Sequence, residues 1–161
     1  MRQTTSTAAT ATASAAGAAA ADGGETFVTF VIEKQRFGVP VLRVQDILLP
    51  ALISPVPLAP AAVRGLINLR GRIVTVIDVR TRLGLPRLIG GKSMGVTVEH
   101  RGELFTLLVD RVGDVAKLAS DRLEQKPSTL EPAWQDVAAG VWRLDDGLMV
   151  VLDVERLLDL N

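Results

Sequence analysis

The segment GGKSMG (90–95) contains the residue types of a phosphate-binding loop, with Lys92 and Ser93 following two glycines. That motif also needs a glycine five residues before Gly91, and Pro86 occupies this position. It further needs a helix after the loop, because the first N–H groups of the helix bind the phosphate, whereas here a strand pattern follows. The sequence therefore predicts an ordinary loop at this point.

Arginines are concentrated on both sides of the most aliphatic strand pattern in the chain. They are Arg64, Arg70, Arg72, Arg80 and Arg82, with Asp78 as the acidic residue among them. One interpretation is a small-barrel RNA-binding module using this Arg64–Arg82 patch, although binding of single strands normally uses stacked aromatic rings, and the patch has none. A second is that these are solvated strand ends with their stems on apolar neighbours. A third is that one arginine pairs with a carboxylate and fixes the shape of a protein-binding groove.

The sequence contains little that could perform catalysis. His100 is the only histidine and falls in a predicted hairpin turn, and there is no cysteine. No Gly-x-Ser-x-Gly nucleophile motif occurs, and the acidic residues lack the spacing of a calcium loop. Basic and acidic side chains number 18 each, so no overall charge attracts nucleic acid or a membrane surface. We therefore predict that the protein is not an enzyme and has no cofactor or metal.

The composition of the chain changes near residue 24. Residues 1–24 are rich in Ala and Thr and lack the aliphatic and aromatic side chains of a core, so we predict a disordered tail there. Residues 25–161 contain enough Val, Leu and Ile to form an independent folded domain. No apolar run approaches the ~20 residues that span a bilayer.

The folded part has the pattern of short strands joined by tight turns. Hairpins are predicted at 26–42, 94–112 and 140–153, and the helical spacing of aliphatic residues predicts one helical turn at 44–48. The long crossover helices that parallel sheets require are missing from the pattern. Many short strands with little helix therefore favour small β-barrels.

Asp78 and Asp153 each end a strongly aliphatic run, VTVID and MVVLD, and each precedes a short helical pattern. A carboxylate at this position can accept a hydrogen bond from the first turn of the helix, so both are predicted N-caps. The repeated order of strand, Asp and helix suggests two related halves, but the similarity is too weak to establish a repeat.

Four blocks of sequence, in a consistent order, give the chain a family resemblance. They are FVTFVIEKQRFGVPVLRVQDIL, ISPVPLAPAAVRGLINLRGRIVTVIDVRTRLGL, LLVDRVGDVAKL and GVWRLDDGLMVVLDVERLL. The most specific part is the central Pro-x-x-Pro…Arg-Gly-x-x-Asn-Leu-Arg-Gly pattern. Over residues 26–160 the chain resembles the CheW family of coupling proteins in bacterial chemotaxis.

The resemblance implies a mainly all-β fold with two SH3-like five-stranded β-barrel subdomains, intimately packed, and with short helices, one of them at the C-terminus. It implies a non-enzymatic, cytoplasmic scaffold associated with membrane receptor arrays. The expected partners are the helical hairpin tip of a chemoreceptor, the regulatory domain of the sensor histidine kinase CheA, and other CheW-like domains in rings. Neither nucleic acid binding nor direct membrane insertion is expected.

The resemblance also assigns five residues to receptor or kinase coupling. They are Val44, Asp46, Gly65, Arg70 and Gly140. The family usually has Glu at the position of Asp46, and the shorter Asp side chain predicts a looser ion pair with Arg70. Gly65 is expected to allow close approach of backbone, and exposed barrel edges are expected to contact the kinase. Arg64 and Arg72 are then expected to be solvated.

Overall fold

The structure is a computed structural model of the chain, and it describes residues 24–50, 52–87, 92–119, 121 and 123–160. The predicted tail therefore lies outside the described residues, apart from Gly24. The described part is mainly β-structure, as predicted, and its strands form two sheets.

The elements are short and follow one another closely. The strands are β1 (Glu25–Ile32), β2 (Gln35–Pro40), β3 (Val44–Leu48), β4 (Val63–Leu69), β5 (Arg72–Asp78), β6 (Met94–His100), β7 (Glu103–Val109), β8 (Arg111–Leu118), β9 (Leu123–Glu124), β10 (Ala138–Leu144) and β11 (Gly147–Leu152). The helices are α1 (Val79–Arg82), α2 (Pro132–Val137) and α3 (Val154–Leu157), and a 3-10 turn covers Val41–Arg43.

Each sheet curves toward a barrel of the predicted kind. Sheet 1 has the order β8-β1-β2-β11-β10-β9, and sheet 2 has the order β3-β6-β7-β5-β4. Sheet 2 therefore has the predicted five strands. Sheet 1 has a sixth, because the two-residue strand β9 pairs with β10 at Val141 and Trp142. The three predicted hairpins are confirmed as β1–β2, β6–β7 and β10–β11.

The predicted helical turn at 44–48 is wrong, because these residues form the edge strand β3, and the helical turn lies just before them at Val41–Arg43. A bulge between Val44 and Asp46 shifts the pairing of β3 with β6. Exposure nevertheless alternates along the strand, with Ile47 pointing outward. Val44, Ile47 and Leu48 have the spacing of a helical stripe, but Ile47 points outward from an edge strand, so the spacing gave the wrong prediction.

The two halves of the chain have the same strand arrangement and exchange strands between the sheets. The hairpin β1–β2 lies in sheet 1, and the next three strands, β3 to β5, lie in sheet 2. The hairpin β6–β7 lies in sheet 2, and β8, β10 and β11 lie in sheet 1. The parallel contact of β5 with β7 corresponds to that of β11 with β2. Each sheet is thus completed by strands from the other half.

The strand registers correspond as closely as the strand orders. The pairing of β3 with β6 corresponds to the pairing of β8 with β1. The corresponding residue pairs are Val44↔Val98 and Val112↔Phe30, Ile47↔Val96 and Val115↔Val28, and Leu48↔Gly95 and Ala116↔Phe27. The two predicted caps also correspond, since Asp78 accepts a hydrogen bond from the Arg80 N–H at 3.0 Å and Asp153 accepts one from the Glu155 N–H at 3.0 Å. The two halves are therefore a structural repeat.

One apolar cluster extends across both sheets and holds the barrels together. It contains Phe30 and Phe37 from sheet 1 and Val96 and Leu107 from sheet 2, all fully buried. The helices close its ends, and the Trp134 Nε1–H of α2 donates to the Leu83 carbonyl after α1 at 3.0 Å. Because the main core is shared, the two barrels share most of their hydrophobic stabilisation.

The proline-rich segment before β4 contains a strained residue. Leu58 follows Pro57, has φ of 62° and is fully exposed. A proline followed by a residue at positive φ is the pattern of a type II turn, which prefers Gly or Asn at the second position. We expect Leu58→Asn to stabilise the fold by about 1 kcal/mol, because Asn tolerates this conformation better than Leu.

Chemical denaturation of the two proteins tests this expectation. Leu52→Asn is the matched control, since Leu52 is 84% exposed but does not have positive φ. We expect the control to change the free energy of unfolding by less than about 0.5 kcal/mol. An equal gain in both variants would assign the effect to lost surface hydrophobicity instead of relieved strain.

Candidate functional site

Arg70 lies at the tip of the β4–β5 hairpin in an unfavourable backbone conformation. Its φ is 52°, and that of Gly71 is 85°. Two successive positive values are typical of a type I′ turn, which favours Asn or Gly at its first central position. The Asn68 Oδ1 accepts a hydrogen bond from the Gly71 N–H at 2.8 Å and fixes the turn. An arginine held here at some energetic cost is a candidate functional residue.

The predicted ion pair between Asp46 and Arg70 is formed. The Arg70 Nη2 lies 3.1 Å from the Asp46 Oδ2, and the Asp46 Oδ1 accepts from the Ile47 N–H at 2.9 Å. The shorter Asp side chain therefore reaches its partner. Asp46 is on β3 and Arg70 follows β4, the two strands at opposite ends of the sheet 2 order. The pair thus links the two edges of the sheet where it curls on itself.

Gly65 allows the proline-rich segment to lie directly on β4. Its φ is 147°, and a Cβ atom at this position would lie 2.2 Å from the Ser54 carbonyl oxygen. On either side of that approach, Ser54 and Leu66 exchange two backbone hydrogen bonds of 2.8 and 2.9 Å. Any side chain at Gly65 would push this segment away from the strand.

Val44 and Gly140 lie in different surroundings from the ion pair. Val44 is half-buried, pairs with Val98 and packs against the main core, so it supports β3 from within. Gly140 belongs to β10 in sheet 1 and follows a bulge, as Gly65 does in sheet 2. The structure therefore gathers Val44, Asp46, Gly65 and Arg70 in sheet 2 and places Gly140 at the position in the other barrel that corresponds to Gly65.

Aliphatic side chains are exposed on β3, on the segment that follows it and at the start of β5. They are Ile47, Leu49, Leu52, Val56 and Ile73, with Leu58 at the end of the segment. The segment also contains four prolines, Pro50, Pro55, Pro57 and Pro60, which restrict its backbone before any partner binds. Apolar surface of this kind beside a charged pair is typical of a protein-binding surface.

Most of the arginine patch is engaged within the fold. Arg64 Nη1 donates to the Asp78 Oδ2 at 3.3 Å, so the prediction of a solvated Arg64 is wrong. Arg82 donates to the carbonyls of Leu157 and Arg156 at the C-terminal end of α3. Arg72 is exposed, as predicted. Several arginines on which the RNA-binding interpretation depended are therefore paired with carboxylates or bonded to carbonyls at a helix end.

The Arg80 side chain is the centre of a charge cluster that the sequence analysis missed. It is buried, donates to both Asp110 carboxylate oxygens at 2.8 and 2.7 Å, and donates to Glu33 Oε1 at 2.8 Å and the Pro86 carbonyl at 3.1 Å. The hydrogen bond with Asp110 raises the pKa of Arg80. Burial alone would raise the pKa of Asp110, but hydrogen bonds from Arg80 and the Glu33 N–H lower it below its usual value.

This cluster joins both sheets at a strand exchange. Asp110 lies between β7 in sheet 2 and β8 in sheet 1, Glu33 lies in the β1–β2 turn, and Arg80 lies on α1 after β5. Its components are separated by tens of residues in the sequence, so spacing alone gave no signal. One local signal was available. Arg80 lies in the first turn of a helix capped by Asp78, where a solvated cation is unfavourable, and this position indicates a carboxylate partner.

Other classes of site find no support in the described ranges. No group of three or more His, Cys, Asp or Glu residues there could hold a metal ion. None of the helices among these residues is long and apolar enough to cross a membrane.

Comparisons with known proteins agree with one another. The family model described as the CheW-like domain matches residues 26–161. The chemotaxis protein CheW of Klebsiella aerogenes is 26% identical over 136 residues, covering 84% of this chain and 82% of the relative. The CheW of Rhizobium meliloti is 27% identical over 141 residues, covering 83% of this chain and 87% of the relative.

A solved structure supports the same assignment. The crystal structure of the scaffolding protein TtCheW from Thermoanaerobacter tengcongensis matches with a TM-score of 0.77 and 26% sequence identity. The match covers 86% of this chain and 94% of that one. With the family model spanning residues 26–161 and the two-sheet fold in agreement, this chain belongs to the CheW-like domain family.

Proposed function

We propose that this protein is a non-enzymatic scaffold in chemotaxis signalling that couples chemoreceptors to the sensor histidine kinase CheA. The relatives are named chemotaxis protein CheW, and the matched solved structure is a scaffolding protein. Its proposed place is the cytoplasmic face of receptor arrays. The observation that carries the proposal within this chain is the Asp46–Arg70 ion pair, set beside exposed aliphatic side chains at the edge of sheet 2.

The proposed receptor site is the β3 edge of sheet 2 with the proline-rich segment that follows it. A helical hairpin of a receptor would lay an apolar stripe across Ile47 and Leu49, which supply hydrophobic area. Arg70 remains 78% exposed although it is paired, so one side of its guanidinium is available to a partner carboxylate or carbonyl. The ion pair orients Arg70, and the aliphatic residues provide most of the affinity.

The adaptor transmits signals through the relative placement of its partners. The proposed coupling residues lie in both barrels, four in sheet 2 and Gly140 in sheet 1. A scaffold with two such surfaces can hold the receptor and the kinase regulatory domain, or another CheW-like domain, at a fixed separation. The shared core between the sheets makes that separation rigid.

Arg70→Glu is expected to weaken binding to a receptor signalling fragment or to the CheA regulatory domain by at least about tenfold. The new carboxylate would face Asp46 and repel it, and the cation offered to the partner would be lost. The fold should be retained, because Glu places no more strain on the turn than Arg does. The measurement is a ternary assembly assay with purified receptor fragment and kinase.

Arg72→Glu is the matched control, since Arg72 occupies the same hairpin and is also exposed. We expect Arg72→Glu to retain binding within about threefold. Equal loss in both variants would indicate a nonspecific effect of charge, and unchanged binding in Arg70→Glu would contradict the assignment of Arg70. A wild-type chain that binds neither partner would contradict the proposed function itself.

A further inference from the structure

The repeat within the chain allows the two barrels to be compared position by position. Arg64 is the bulge residue of β4, between Val63 and Gly65, and Ala139 is the bulge residue of β10, between Ala138 and Gly140. Asp78 and Asp153 end the adjacent strands and cap the following helices in the same way. The pair Arg64 and Asp78 in one barrel therefore corresponds to Ala139 and Asp153 in the other.

The two carboxylates differ in what covers them. Arg64 and, more distantly, Arg87 face the Asp78 Oδ2, at 3.3 and 3.9 Å, and the Asp78 side chain is only 5% exposed. Asp153 uses Oδ1 to cap α3, and Arg156, at 4.0 Å, is the basic group that faces its Oδ2 among the described residues. Its side chain is 36% exposed. One barrel thus supplies a guanidinium from its bulge residue, whereas in the other the bulge residue is Ala139, so that place is open and, within the described part of the chain, only Arg156, at 4.0 Å, approaches the carboxylate.

The open position lies in an apolar cleft of about 280 Å³ beside Gly140. Phe27, Trp142 and Val151 contribute to its lining, and Ala139 and Asp153 lie in its wall. Glu25 adds a second carboxylate to the lining. Arg43 also lines the cleft, and its guanidinium donates a hydrogen bond to the Glu99 carbonyl at 3.1 Å. An apolar lining with a carboxylate in the wall suits the methylene stem and planar head of an arginine side chain.

We propose that this cleft of sheet 1 receives an arginine side chain from a partner protein, which occupies the place that Arg64 occupies in sheet 2. The proposal rests on the proposed adaptor function for the existence of a partner, and it gives Gly140 a physical role. The buried backbone of Gly140 keeps the cleft open, because a Cβ at this position would already lie 2.9 Å from Leu123 Cδ1. The inserted guanidinium would pair with Asp153 Oδ2, which Arg156 approaches only to 4.0 Å.

The test uses the full chain and a blocked tripeptide, acetyl-Ala-Arg-Ala-amide, followed by NMR. We expect saturable shifts of the Gly140 amide and the Trp142 indole N–H signals. A peptide with citrulline in place of arginine keeps the shape without the charge and should bind at least about tenfold more weakly. Shifts that do not saturate, or equal shifts from the citrulline peptide, would overturn the proposal.

The substitution Ala139→Arg places an arginine side chain of the protein itself in the cleft. We expect it to abolish the peptide-induced shifts and to raise the melting temperature by about 2 °C, with Arg64→Ala lowering it by a similar amount. Asp153→Asn should weaken peptide binding at least about tenfold while retaining the fold, because Asn can also cap a helix. Peptide binding that survives Ala139→Arg would place the arginine elsewhere and overturn the assignment.

The same proteins also distinguish binding of a different partner from self-association. Concentration-dependent self-association of the wild type that Ala139→Arg removes would assign the cleft to a second copy of this chain and would overturn the choice of a different partner. Since neither receptor nor kinase is present in these measurements, failure of the proposed coupling function would leave their result unchanged.

Discussion

Gly65→Ala is expected to destabilise the protein by about 3 kcal/mol, whereas Gly140→Ala is expected to cost less than about 1 kcal/mol. At Gly65 the new Cβ would lie 2.2 Å from a backbone oxygen of Ser54, in a residue with φ of 147°. At Gly140 it would meet the end of the Leu123 side chain at 2.9 Å, and Leu123 is itself half exposed and able to move. The two glycines hold corresponding positions, but only Gly65 has positive φ, so the difference combines backbone strain with the contact that lies above each residue.

Urea or thermal unfolding of the two variants measures this difference. For a domain of this size a loss of about 3 kcal/mol lowers the melting temperature by about 10 °C. Gly102→Ala is a useful control, because Gly102 has φ of 79° and nothing lies within 4 Å of its added Cβ. It should show the cost of backbone strain alone, about 1 kcal/mol. Equal losses at Gly65 and Gly140 would contradict the importance of the contact with Ser54.

Arg80→Ala is expected to cost about 3 kcal/mol of unfolding free energy, the second large effect. It removes four hydrogen bonds that Arg80 donates to Asp110, Glu33 and Pro86. It also leaves the Asp110 carboxylate, only 16% exposed, without its cation. The double variant Arg80→Ala/Asp110→Ala should recover part of the loss, because the less exposed of the two carboxylates that Arg80 contacts is then removed with it.

The pH dependence of the free energy of unfolding is a second test of the Arg80–Asp110 pair. Arg80 lowers the pKa of Asp110 in the folded state, so the contribution of this pair is fully present above the unfolded pKa of about 4 and is lost as the pH falls through the lower folded value. The stability difference between wild type and Arg80→Ala should therefore shrink under acidic conditions. A difference that is small at neutral pH, or that grows with acid, would contradict this account.

Local patterns in the sequence predicted the hairpins and the helix caps well. The turns at Glu33, Arg101 and Asp145 interrupt clear alternation, and Asp78 and Asp153 both accept hydrogen bonds from the helices that follow them. These features depend on neighbouring residues. Strand β9 was missed because two residues show no alternation, and helix α2 was missed because it follows Glu131, whose side chain makes no capping hydrogen bond.

The repeat and the Arg80 cluster could not be read from local patterns. Corresponding positions share few residue types, so Arg64 matches Ala139 and Arg80 matches Glu155, although their backbones coincide in register. Of the candidate site, the Asp46–Arg70 pair was predicted from the family resemblance and is formed. The position of Gly140 in the second barrel depended on the strand exchange, which only the three-dimensional structure reveals.

The exchange of strands between the sheets also determines when this chain can fold during its synthesis. The hairpin β1–β2 leaves the ribosome early, but its neighbours in sheet 1, β8 and β11, are made only after β7. Until then Phe30 and Phe37 lack the strands that later cover them, and both edges of the hairpin are open to wrong pairing. The first half therefore keeps apolar side chains and strand edges unpaired until the second half has been made, and sheet 1 can be completed only then.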